Sequence, residues 1–101
     1  MEDLSKVGTF PHFHTFTASS NTTKISIPRT CRKVSIGSRD KELYICRNGA
    51  TDGGSLPAGY SFIPKDNMLP VNMGRGSNID YNLYIASTSG SAVVHVILME
   101  E

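Results

Sequence analysis

Three histidines and two cysteines are the residues of this chain best suited to chemistry. His12 and His14 stand two apart in Pro11-His-Phe-His14, and on a β-strand residues i and i+2 project to the same side. Two imidazoles so placed can share a metal ion, and His95 would complete a three-nitrogen site with a position left open. The H-x-H pattern carries little specificity by itself. A cupin-like metal motif also needs a glutamate a few residues later, and Thr15, Phe16, Thr17 and Ala18 follow instead. In a trimer the pair would ring a three-fold axis and hold an ion structurally. Polar residues on a strand edge, or at an interface, are the simpler reading, and no metal or other cofactor is expected.

Cys31 and Cys46 pose a register question. If residues 31–36 and 42–46 form a hairpin with Val34 opposite Leu43, Cys31 falls opposite Cys46, because both pairs sum to the same value in an antiparallel ladder. A cross-strand disulfide is then conceivable, although such bridges are often strained and a reducing compartment keeps them open. Two small, half-buried free thiols are the simpler expectation.

Other catalytic signatures are missing. There is no G-x-S-x-G elbow to expose a serine nucleophile. Gly74, Gly76 and Gly90 lack the strand-to-helix setting of a phosphate cradle. Asp52, Asp66 and Asp80 are scattered without the spacing of a calcium loop. Asn21-Thr22-Thr23 fits a glycosylation acceptor but reads as a turn in a chain with no secretory signal. Arg29, Arg32, Lys33, Arg39, Lys41 and Arg47 gather positive charge near one expected hairpin, which reads first as a solvated face and second as a surface for an acidic partner.

The elements that must position these residues are strands. Segments with β-type alternation recur about every ten residues, separated by Gly, Pro, Asn, Asp and Ser, which is sandwich or barrel spacing. Eight are expected, at 10–18, 22–27, 31–36, 42–46, 58–63, 68–73, 78–86 and 91–99. Pro28 ends the second because proline cannot donate to a ladder, and Pro70 makes the sixth an edge strand or an irregular crossing. A Gly-rich loop spans 48–57, and Gly74-Arg-Gly-Ser77 makes a turn. No segment has helical periodicity. The expected fold is all-β: an antiparallel β-sandwich, jelly-roll-like, with about eight short strands. Residues 1–9 form a possible N-terminal arm, and 10–101 form the single domain.

The last strand is the most informative. Ala92, Val94, Val96 and Leu98 alternate with Val93, His95, Ile97 and Met99. A strand apolar on both faces needs cover on both faces, whereas a two-layer sandwich supplies one core face per strand. The second face must meet a loop, the arm or another subunit. Together with the aromatic segment around Phe10, Phe13 and Phe16, it is the expected contact surface, so the candidate interface is Phe10, Phe13, Phe16, Val93, His95, Ile97 and Met99.

Bulk composition agrees with association. The 101 residues make one domain, and charged residues are 19% of them, below the usual ~25%. A net charge of +1 argues against a nucleic-acid binder, which needs a cationic excess. No apolar run approaches the ~18 residues of a membrane span, and the first residues lack the pattern of a signal peptide. Cytosolic synthesis is expected, with no membrane partner.

Several segments carry a family resemblance: Ile25-Ser-Ile-Pro28, Leu43-Tyr-Ile45, the Gly-rich loop, AGYSFIP at 58–64, and NLYIASTSGSAVVHVILME at 82–100. Their order and turn residues resemble small accessory proteins of tailed-phage virions, which are β-sandwich or jelly-roll proteins. The resemblance covers about 75 of the 101 residues as a texture of spacing, with no diagnostic motif and no functional residue to carry across. It implies a non-enzymatic structural role in the virion as a capsid decoration or cement protein, head fibre, or neck or tail component. Its partners would be capsid or other virion proteins and copies of itself, a homotrimer first, assembled in a host cytoplasm. Two alternatives stand beside it. One is a carbohydrate- or receptor-binding sandwich using Tyr44, Tyr60, Tyr81 and Tyr84 as stacking platforms. The other is a cupin-like metal protein using the H-x-H pair.

Overall fold

A computed structural model of the chain describes residues 1–47, 50–55, 60–72 and 81–99. The expected turn at 74–77, Asp80, and parts of the Gly-rich loop and of the 58–63 and 78–86 segments lie outside the described residues. Nine strands are present among the described residues: β1 (Glu2–Asp3), β2 (His12–Ala18), β3 (Thr23–Ile27), β4 (Lys33–Ser38), β5 (Leu43–Cys46), β6 (Ser61–Ile63), β7 (Asn67–Asn72), β8 (Tyr81–Ser87) and β9 (Ala92–Met99).

They form a five-stranded sheet, β1-β3-β8-β5-β6, and a four-stranded sheet, β2-β9-β4-β7. The antiparallel partners are nested: β2 with β9, β3 with β8, β4 with β7, and β5 with β6. A long four-rung hairpin is thus rolled up, and the β4–β9 and β5–β8 pairings close the roll. This is the jelly-roll order, with β1 as an added edge strand. The all-β sandwich expected from the spacing of the strands is what the chain forms.

The core lies where alternate side chains of both sheets meet. Ile25 and Ile27, Leu43 and Ile45, Ile63, Leu83 and Ile85 face Val34, Ile36, Val94, Val96 and Leu98. Each fully buried aliphatic side chain contributes about 1.5–3 kcal/mol. Turn chemistry follows the chain's punctuation. Gly90 takes a left-handed φ of 61° between β8 and β9, a conformation glycine adopts without a Cβ penalty.

One pairing differs from expectation. The segments containing Val34 and Leu43 do not form a hairpin: β4 belongs to the four-stranded sheet, and the chain crosses to the other layer before β5. Val34 is paired with Val71 and Leu98, and Leu43 with Ile63 and Ser87. The first residues are also engaged. Glu2 and Asp3 pair in parallel with Ile25 and Ser26, Leu4 donates its N–H to Ser26 O at 2.9 Å, and the Leu4 side chain joins the core.

Candidate functional site

In the four-stranded sheet β2, β9 and β4 bury one side and present the other outward, while the edge strand β7 is exposed along nearly its whole length. Register fixes the outward rows. Phe13 is opposite Ile97, which is opposite Ser35, which is opposite Pro70; Thr15, His95, Gly37 and Met68 make the next row. Thr17 stands against Val93, and Met99 against Lys33. Val94, Val96 and Leu98 between them are fully buried, while Val93 is 37%, Met68 42% and Phe13 69% exposed. His95, Ile97 and Met99 are half-buried. The central strand of a sheet therefore offers branched and thioether side chains to solvent, and the N-terminal residues do not cover them, being paired on the other sheet.

Gly37 shapes the middle of this face. A Cβ there would stand 2.0 Å from Asn67 O and 2.7 Å from Met68 Sδ, so only glycine lets β7 close on β4. Beside it lies a depression of about 420 Å³, with Phe13, Thr15, His95, Ile97 and Met68 on its walls and Arg39 and Asp66 at its rim. The His95 Nδ1 and Thr15 Oγ1 lie 3.4 Å apart. Among the described residues no carboxylate bonds the other ring nitrogen of His95, so this contact lacks the orienting third group of a nucleophile–base system.

The three histidines do not converge. His14 pairs with Val96 and Thr15 with His95, so His12 and His14 project from the side of the sheet opposite to His95. Residues an odd number apart across the ladder cannot share a face. The His12 and His14 rings do lie together, with centroids 6.5 Å apart, and His14 stacks on Phe16 at 6.0 Å. The remaining contact of His14 is with Glu2, Nε2 to Oε1 at 2.7 Å, which ties the N-terminal strand of one sheet to the edge of the other. Among the described residues no three His, Cys, Asp or Glu side chains group to hold a metal ion.

Both cysteines are free, and their sheets are different. Cys31 lies buried just before β4, its thiol donating to Lys33 O at 3.2 Å. Cys46 faces Tyr84 across β5 and β8. Burial pushes both thiols above the ordinary cysteine range. Of the expected cluster of positive charge, Lys33 opens β4, Arg39 and Lys41 lie in the connection between β4 and β5, and Arg47 follows β5. Arg47 lies over the Tyr81 ring, 4.7 Å from its centroid.

Of the expected contact residues, Phe13, Val93, His95, Ile97 and Met99 share the outer face. Phe16 does not: it is 9% exposed and part of the core. Phe10 also packs against the core. Phe13 and Phe16 are three apart, and that odd spacing on a strand sends them to opposite sides. Met68 and Gly37 were not anticipated. The alternation of Met68 with Pro70 would have placed both on one side, but which side depends on the partner strand.

The five-stranded sheet has an outer face of another character. Tyr44 is opposite Phe62 on one side and Ala86 on the other, and Cys46 is opposite Tyr84. Tyr60 meets Tyr44 edge-on at 4.6 Å. Phe62 is 58% and Tyr60 42% exposed. Tyr81 is not part of this group; it packs against the core.

No known protein family, curated protein or solved structure matches the chain.

Proposed function

We propose that this chain is a non-enzymatic assembly protein that binds copies of itself and other protein chains through the outer face of β2-β9-β4-β7. The observation that carries the proposal is the outward row of β9, where Val93, Ile97 and Met99 lie beside the 69% exposed Phe13. Water gains by losing such a surface, at about 25 cal/mol per Å² of apolar area. The same face carries both Arg39 and Asp66, so a second copy can answer each charge with the other. A specific interface needs about 800 Å² from each partner, about one-seventh of the 5652 Å² surface.

Within that reading the role is structural and in a virion, of capsid decoration or cement type, with a trimer as the first assembly. The resemblance of residues 25–100 supports it, as does a jelly roll, a fold that viral capsid domains use. Sedimentation velocity tests the association. The wild type is expected as a symmetric oligomer, and Phe13→Asp with Ile97→Asp as a folded monomer. A wild type that stays monomeric and has no affinity for capsids overturns the proposal.

A further inference from the structure

The two outer faces differ in chemistry, and the difference points to two kinds of partner. On the four-stranded sheet the outward row of β9 is mainly aliphatic, with Val93, Ile97 and Met99 around His95 and Phe13 beside them. On the five-stranded sheet the exposed or half-buried residues of the outer side are Tyr44, Tyr60, Phe62, Tyr84, Cys46, Asn82, Lys24 and Asp3, with the buried Ala86 and Ser26 between them and no Leu, Ile or Val in these rows among the described residues. The rings among them suit a ligand with C–H faces and hydroxyl rims.

We infer that the outer face of the five-stranded sheet is a binding platform for a neutral saccharide chain, with Tyr44, Tyr84, Phe62 and Tyr60 as its stacking rings. Geometry supports a chain over a single sugar. Tyr44 and Phe62 are directly opposite on β5 and β6, strands that step ~4.8 Å, and Tyr84 lies diagonally from Tyr44 on β8, so the rings span three neighbouring strands. Small residues alternate with the large ones: Ala86 is opposite Tyr44, and Cys46 is opposite Tyr84. Ala86 is fully buried, Phe62 and Tyr60 are 58% and 42% exposed, and Tyr44 and Tyr84 are half-buried. Edge-on contact with Tyr60 at 4.6 Å fixes the Tyr44 ring, which lowers the ordering cost of binding. Polar partners lie next to the rings, since Asn82 and Ser26 sit one position along, with Ser26 Oγ 3.3 Å from Asn82 Oδ1, and Lys24 is opposite Tyr84.

Single-stranded nucleic acid also stacks on such rings, but it needs a cationic groove along its backbone. Lys24 is the one cation in the outward rows among the described residues. That favours the uncharged polymer. This site is independent of the association face and occupies the other side of the sandwich.

The test uses the full chain. Neutral gluco-, galacto- and N-acetylglucosamine hexasaccharides, with oligo-dT as a control, are titrated at millimolar concentration while ring signals are followed by NMR. At least one sugar is expected to bind, with its saturation-transfer signal confined to ring C–H protons. Phe62→Ser and Tyr60→Ser remove exposed rings, so the fold survives, and each is expected to weaken binding about tenfold, the size of one lost stacking contact. Phe13→Asp on the opposite face leaves binding unchanged. Absence of binding to every sugar, preference for oligo-dT, or undiminished binding by Phe62→Ser and Tyr60→Ser overturns the inference.

Discussion

Gly37 is the residue at which a single atom decides a pairing. Its outward hydrogen points at Asn67 O, where a Cβ would come within 2.0 Å. Backbone cannot yield as a flexible side chain can, so β7 must shift away from β4. Gly37→Ala is expected to cost about 1–3 kcal/mol, the range for overpacking, measured by denaturant unfolding. An unchanged midpoint would mean that β7 does not close on Gly37. Asp52 acts at the same scale through charge. It accepts the Lys24 N–H at 2.9 Å and lies 3.5 Å from the N-terminal ammonium, and these hold its carboxyl below the ordinary 3.8. A carboxylate with a depressed folded value adds its stability above 3.8 and loses it as pH falls through that depressed value. Acidification is expected to free Met1 and the Lys24 amide together, followed by NMR. Asp52→Asn should remove that pH dependence, and titration of Asp52 at or above its ordinary value would contradict the assignment.

At the scale of the element, β9 carries a buried side and a solvent-facing side on one strand. Leu98 is fully buried, so Leu98→Ala is expected to cost about 2–5 kcal/mol through lost transfer energy and the cavity left behind. Val93, five residues earlier, faces out. Val93→Ser should leave the stability of the folded protomer within about 0.5 kcal/mol while weakening association. Thermal unfolding and sedimentation of the two variants check this together. Equal destabilisation by both would erase the distinction between the faces. Much of this strand was legible in the sequence, because alternation assigns residues to sides without knowledge of the partner. The same rule applied strictly separates Phe13 from Phe16, a distinction lost when aromatic residues are grouped by proximity. What alternation cannot supply is the neighbour. Residues 31–36 and 42–46 read as a hairpin because a turn-rich segment joins two good strands. In the roll that segment carries the chain from one sheet to the other, and the apparent Cys31–Cys46 register disappears with it. His95 was beyond reach for a related reason, since its side relative to His12 and His14 depends on the β2–β9 register.

At the scale of the molecule, the jelly roll leaves two broad faces with different chemistry, one mainly aliphatic and one aromatic. The near-neutral charge of +1 gives little electrostatic repulsion between copies, so the proposed association would rest on apolar burial. It is therefore expected to persist, or strengthen, as salt rises, because ionic attraction is screened over ~10 Å at moderate ionic strength while apolar burial is not. Dissociation at high salt, seen by light scattering, would assign the interface to charge pairs instead. The rolled order itself lay outside what periodicity encodes, since the nested pairing of β2 with β9 and β3 with β8 joins segments far apart in the chain.

The most direct measurement is a methyl NMR dilution series on the intact chain. As protomer concentration rises, the Val93, Ile97 and Met99 methyl signals are expected to shift and broaden while those of Val94, Val96 and Leu98 hold still. Signals that ignore concentration, or changes gathered around Phe62 and Tyr44 on the other sheet, would contradict association through the β9 face.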